Sequence, residues 1–205
     1  PGLNFGYLEG GVGWGANLYN DIVEHWEKRN LPYLLENMDP ARLDRELTIE
    51  MFEKYGNKYL DTEKLKGDEN PFRPRDYNIP EEQLDDFAAC GIERKEDIKD
   101  LFCDPFYFGC EADDALVPIA FATDVNHFGA KLKVTFSSDI GHWDVPDMLK
   151  VLPEAYEFVE KGSLDDDQFR EFTFENQVHL LGGMNTDYFK GTAVEAEAEK
   201  VLAAA

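Results

Sequence analysis

Three short apolar runs that each end on acidic residues constrain this chain more than any other feature. The clearest runs from Lys133 to Ser137, reaches Asp139, and turns through Gly141 to His142, Trp143 and Asp144. Phe106-Tyr107-Phe108-Gly109-Cys110 is a second run and leads into Glu111, Asp113 and Asp114. The first, Phe5-Gly6-Tyr7-Leu8-Glu9, reads as a short buried strand broken by Gly10-Gly11. Helical patterns follow all three. Strands alternating with helices predict an α/β fold, a parallel sheet with helices outside it. Ligands of such sheets sit at the C-terminal ends of the strands. Several carboxylates converging on one edge repel one another unless a cation or protons neutralise them, so the pattern points to a metal.

The helices have their own signals. Leu18, Ile22 and Trp26 form an apolar stripe flanked by Tyr19 and Val23. Asp39-Pro40 predicts a helix start, with Leu43, Leu47, Met51 and Tyr55 as its apolar face and Gly56 as its stop. Residues 57–78 are polar, carry Pro and Gly, and lack periodicity, which predicts a surface excursion. Short helices are expected from Pro80 to Cys90 and from Glu93 to Phe102. Residues 57–103 together read as a helical and loop insertion in a single domain, 1–205. Leu116 to Ala122 is expected to be helical with Pro118 in its first turn. Asp144-Val145-Pro146-Asp147 resembles a capping box and predicts a helix start. Further helices are expected from Pro153 to Lys161 and from Asp165-Asp166-Asp167-Gln168 onward, the latter with Phe169, Phe172 and Phe174 inward. The Ala/Glu-rich tail from Ala193 reads as a terminal helix.

The formal net charge is −23 over 205 residues. That argues against nucleic acid and anionic membranes as partners, since phosphates would be repelled. The charge fits either a heavily solvated surface or cation binding. Cys90, Cys103 and Cys110 lack CxxC spacing, so they read as buried thiols of a reducing cytoplasm rather than a disulfide framework or a Cys-rich zinc site. No run is long and apolar enough to span a bilayer. The start at Pro1, directly before a strand, leads us to expect further sequence upstream.

Two stretches carry a family resemblance. Phe5 to Trp14 and Ser138-Asp139-Ile140-Gly141-His142-Trp143-Asp144 resemble the amidohydrolase-related metal-dependent hydrolases. This is the (β/α)₈-barrel branch that includes aminocarboxymuconate-semialdehyde-type and resorcylate-type decarboxylases. Phe174-Glu175-Asn176-Gln177-Val178-His179-Leu180-Leu181 looks like that family's closing helix. The likeness covers the family's C-terminal half and is strongest after Phe106. It implies the C-terminal part of a (β/α)₈ TIM barrel with about three strands legible, where a whole barrel needs about 250 residues. It also implies a divalent metal, zinc or manganese. The family holds its metal through an N-terminal His-x-His pair, two later histidines and an Asp on the eighth strand. Asp139 matches that Asp, as ligand or as base toward metal-bound water. Glu9 stands where the family often has its second later His, and is a candidate metal ligand. The histidines are His25, His127, His142 and His179. None forms His-x-His, so the first ligands would lie upstream.

The candidate site is therefore Asp139 and His142 as catalytic residues, with Asp139 and Glu9 on the metal. Glu111, Asp113 and Asp114 read either as a solvated tip or as part of the site. Trp143 reads as packing or as a wall at the pocket mouth. The implied function is that of a metal-dependent hydrolase or non-oxidative decarboxylase acting on a small carboxylated or carbonyl substrate. The alternative is a catalytically incomplete fragment, or an acidic scaffold that forms a homo-oligomer through an exposed sheet edge.

Overall fold

Aromatic and β-branched side chains make the short strands, and helical crossovers between them enforce a parallel sheet. In the computed structural model, which describes residues 3–204 apart from 38, 40, 41, 43, 57, 60 and 67–84, the protein is mixed α/β. Its sheet has three parallel strands in the order β1-β2-β3: β1 Phe5–Tyr7, β2 Phe106–Cys110 and β3 Lys133–Phe136. Tyr7 stands opposite Phe108, and Phe108 opposite Val134. The central strand is the core, with Tyr107, Phe108 and Cys110 buried. β1 departs from expectation: all three of its residues are exposed. It is an edge strand, so only one of its two flanks has a neighbour. A side chain at Gly109 would meet the backbone of Tyr7 and Leu8 at 3.1 Å, so glycine lets β1 lie this close.

Helix α1, Gly13–Arg29, packs through a different stripe from the expected one. Gly15, Ala16, Tyr19 and Val23 are buried, whereas Leu18 is exposed. The cause is Gly15, where a Cβ would sit 2.4 Å from the Phe108 ring. Small residues allow the helix onto the sheet, and that rotates the larger apolar ones outward. The Tyr19 hydroxyl donates to the His127 carbonyl at 2.8 Å, and Asn20 bonds both Asn126 and the His127 amide. Helix α2, Asp97–Cys103, begins later than Glu93 and buries Ile98, Phe102 and Cys103. Cys103 and Cys110 are buried, but Cys90 is exposed, contrary to the expectation for all three. Val117–Phe121 forms a 3₁₀ turn with Pro118 at its start.

No helix begins at Asp144. Residues 145–147 are irregular and 148–150 form a turn, and helix α3 is Val151–Glu160 with Pro153 in its first turn. The Asp144 carboxylate bonds His142 instead of capping. The cap at Asp165 does form, reciprocally with Gln168, and starts helix α4 at Asp166–Arg170. α4 continues through two π-helical stretches, Glu171–Glu175 and Val178–Gly182. Phe172 is fully buried, whereas Phe169 and Phe174 are half-buried. The terminal helix α5, Glu195–Ala203, packs Ala198 and Val201 against Val178.

The chain divides into two compact units: Pro1–Glu24 with Arg94–Ala205, which holds the sheet, and His25–Glu93. The second unit contains the helices Leu31–Asn37, Arg45–Met51, Thr62–Lys66 and Asp86–Ala89. Asp44 caps Arg45–Met51 by accepting the Leu47 amide, so that helix starts later than Asp39-Pro40 suggests. Leu47, Met51 and Tyr55 are exposed rather than buried. Pro40, Leu43 and Pro80, and the excursion from 67 to 78, lie outside the described residues. Among the described residues no helix is long and apolar enough to cross a membrane.

Candidate functional site

Parallel strands bring their C-terminal tips to one edge of the sheet, and each tip here carries acid. At β3, Ser137 donates to the Cys110 carbonyl at 2.8 Å, which holds the tip against β2. The chain then turns at Asp139, whose φ of 47° is in the left-handed region that few non-glycine residues enter. The turn closes when the His142 amide donates to the Asp139 carbonyl at 3.1 Å. It folds the His142 ring back between two carboxylates. His142 Nδ1 lies 2.5 Å from Asp144 Oδ1 and 3.2 Å from Asp139 Oδ2. The Asp139 side chain is 22% exposed, against 54% for His142.

The tip of β1 is built similarly. Glu9 has φ 57° and Gly11 φ 63°, and the Gly11 amide donates to the Gly109 carbonyl at 3.1 Å. Glu9 lines a cleft of about 240 Å³ with Gly10, Gly11, Gly109, Glu111, Asp113 and Asp114. Glu111 and Asp113 also line a larger cleft of about 410 Å³, together with Asp139, Asp144, Asp147 and Glu154. Its lining also includes the apolar Ala112, Val145, Pro146 and Val151, and Lys150. Asp114 supports the local backbone: its carboxylate accepts the Leu116 amide at 3.1 Å and so starts the 3₁₀ turn.

Charge ties the tips together. Burial pushes the Glu111 carboxyl up, and Asp139, Asp113, Asp144 and Glu9 push it further in the same direction. The hydrogen bond to Asp144 raises the His142 pKa, with help from the charges of Asp144, Asp139 and Glu9. Asp144 is lowered in return by the same bond. In a histidine titration followed by NMR, His142 is expected to titrate above the ordinary value of about 6.5. Asp144→Asn is expected to bring its midpoint down. An unchanged midpoint would remove Asp144 as the cause.

Among the described residues, Asp139, His142 and Asp144 form the one group of three whose ligand atoms lie within 4.8 Å of one another. Zinc holds nitrogen and oxygen ligands at about 2.0–2.2 Å, so neighbouring donors of a tetrahedral site stand about 3.3–3.5 Å apart. The 3.2 Å between His142 and Asp139 suits that spacing. The 2.5 Å contact to Asp144 is a hydrogen bond that would open to admit a cation. The donor set fits a borderline or hard divalent ion. Asp139 and His142 are thus neighbours, while Glu9 is outside this group and faces the adjoining cleft. Sequence reasoning overlooked Asp144 as a donor because Asp before Val-Pro-Asp looks like a helix cap. Its signal was the spacing of Asp139, His142 and Asp144 around Gly141. Trp143 is 86% exposed and packs little. His127 pairs with Glu24 at 3.2 Å and is not one of the three donors. No family model, curated protein or solved structure matches the chain.

Proposed function

We propose that this chain contributes part of the active site of a metal-dependent hydrolase or non-oxidative decarboxylase of amidohydrolase type. Its substrate would be a small carbonyl or carboxylated molecule, and its sheet the C-terminal part of a (β/α)₈ barrel. The observation that carries this reading is the pairing of Asp139 and His142 at the C-terminal tip of a parallel strand. Glu9 and Glu111 share the same carboxylate edge. Asp139, His142 and Asp144 would hold the cation. Zinc or manganese suits oxygen and imidazole donors. A divalent cation in such a place supplies acidification of water and polarisation of a carbonyl oxygen.

The chain's own groups then have distinct roles. Asp139, the least exposed of the three, is the base that accepts a proton from water or substrate. In the empty site His142 Nδ1 holds Asp139 and Asp144 in place, and with a cation present the ring would serve as a ligand instead. Glu111, raised by burial and then by its acidic neighbours, retains a proton to higher pH than an ordinary carboxyl and is suited to return it. The apolar lining from Val145, Pro146 and Val151 receives the non-reacting body of the substrate.

Metal content tests this directly. The purified chain, loaded with zinc or manganese and freed of excess, is expected to retain one equivalent, and Asp139→Asn to retain none. Trp143→Ala, which removes an exposed side chain outside the donor set, should load like the parent. No stoichiometric metal in the parent chain would sink the idea that this chain alone is a metalloenzyme.

A further inference from the structure

The turn that carries Glu9 is fastened to the tip of β2 at several points. Backbone supplies the first: the Gly11 amide donates to the Gly109 carbonyl at 3.1 Å. A Cβ at Gly109 would lie 3.3 Å from the Glu9 amide nitrogen, so the two main chains are in close contact. The Asp114 side chain supplies the second. Gly11 has φ 63°, and a Cβ there would lie 2.6 Å from Asp114 Oδ2. The carboxylate thus takes the place that a side chain at position 11 would need.

Asp114 is itself held. Its Oδ1 accepts the Leu116 amide at 3.1 Å. The buried Cys110 thiol lies between two acceptors, the Phe108 carbonyl at 3.6 Å and the Asp114 carboxylate. The Val12 amide bonds the Cys110 sulfur. Burial raises the Cys110 pKa and the charge of Asp114 raises it further, so the thiol keeps its proton and remains a donor. Every group in this cluster belongs to the turn between β1 and α1 or to the tip of β2 and the residues that follow it.

An acid in this place needs a reason. Glu9, Glu111 and Asp113 line the same cleft, so a fourth carboxylate adds repulsion. An apolar side chain of that size would avoid the repulsion, but would leave the Leu116 amide without its acceptor. What the carboxylate secures is the turn beside it. Glu9 has φ 57°, a conformation that such a residue keeps only when its surroundings hold it.

We propose that Asp114 is the positioning residue for Glu9: braced by Leu116 and Cys110, it presses on Gly11 and fixes the left-handed turn that presents Glu9 to the acidic cleft. This deepens the proposed function and rests on it in one respect, that Glu9 belongs to the acidic edge of the site. Its test is made without metal, so a chain that binds no cation leaves the outcome readable.

The test is amide hydrogen exchange on the full chain, resolved by NMR. Asp114→Ala is expected to speed exchange at Gly11 by about tenfold or more, the order set by losing a hydrogen bond to a charged group. Phe108, in the buried central strand, should keep its rate. The strong intraresidue amide–Hα cross-peak that a positive φ gives Glu9 should weaken. Asp114→Asn keeps the volume and the acceptor for Leu116, and should restore most of the protection. Where Asp114→Ala does not fold, Asp114→Ser takes its place, since its shorter side chain withdraws from Gly11. A double-mutant cycle followed by urea unfolding gives an independent arm. Gly11→Ala should destabilise the parent through collision and strain, and destabilise Asp114→Ala less, because only the strain remains there. The proposal is overturned if Gly11 exchange does not change, if Gly11 and Phe108 speed up together, or if Asn behaves like Ala. Additivity of the two substitutions in the cycle also overturns it.

Discussion

Phe172→Ala is expected to lower stability by about 3–5 kcal/mol, the usual cost of emptying a phenylalanine site in a core. Phe172 is fully buried. Its ring stands edge-on to Phe136, at 5.6 Å between centroids, and to Phe158, at 6.5 Å. Truncation therefore removes the contact that joins α4 to β3 and to α3 at once. The gap would have a strand on one side, which cannot move inward without breaking its bonds to β2, so collapse is limited. Against a total stability of about 5–15 kcal/mol the loss is large. For a chain of this length it corresponds to a fall in melting temperature of roughly 6–20 °C. Urea unfolding followed by circular dichroism measures it, and Phe169→Ala, at a half-buried site, should cost less. A loss for Phe172→Ala below about 1 kcal/mol would mean that α4 is not held through this ring.

Cation binding at Asp139, His142 and Asp144 should depend steeply on pH, in the opposite sense to the ion pair within the empty site. A cation needs the His142 ring nitrogen free of its proton. His142 is raised, so competition begins at a higher pH than for an ordinary histidine. Below that point each unit of pH should cost about tenfold in affinity, for one proton displaced. Without metal the sign reverses. A raised histidine contributes stability that is fully present below its unfolded pKa and is lost as pH rises through its folded value. Asp144 is lowered, so its contribution is present above its unfolded pKa and is lost as pH falls through its folded one. The pair thus holds best between the depressed value of Asp144 and the raised value of His142. Calorimetric titration with zinc across this range should show affinity rising with pH and levelling above the His142 pKa. A flat profile would take His142 out of the ligand set.

The strands were legible where a run of aromatic or β-branched residues meets a clear stop. Phe106–Cys110 has the bounds read from sequence, and β3 ends one residue before Ser137. The Asp165/Gln168 cap was legible because both partners act locally. The burial stripe of α1 was not. Periodicity weighs large apolar residues, and here a glycine decides the packing by admitting the Phe108 ring. The Asp144 helix failed for a related reason: a tertiary partner, His142, takes the carboxylate that a local rule assigns to a cap. In the site, the neighbouring of Asp139 and His142 followed from a short turn. Glu9 lies far off in sequence, and its separation from them depends on where β2 places Glu111 between the tips.

Glu9 and Asp139 share one property beyond their charge. Both hold left-handed backbone conformations, which cost an ordinary L-residue about 1–2 kcal/mol each and a glycine almost nothing. Gly10 and Gly11 directly follow Glu9, and Gly141 lies two positions after Asp139, so the relaxed residue stands close by in both turns. In each turn one positive-φ place is held by glycine, Gly11 or Gly141, and the other by an acidic residue. These turns therefore display carboxylates at some expense of fold stability, and glycine at 9 or 139 would relax the backbone while removing the acid.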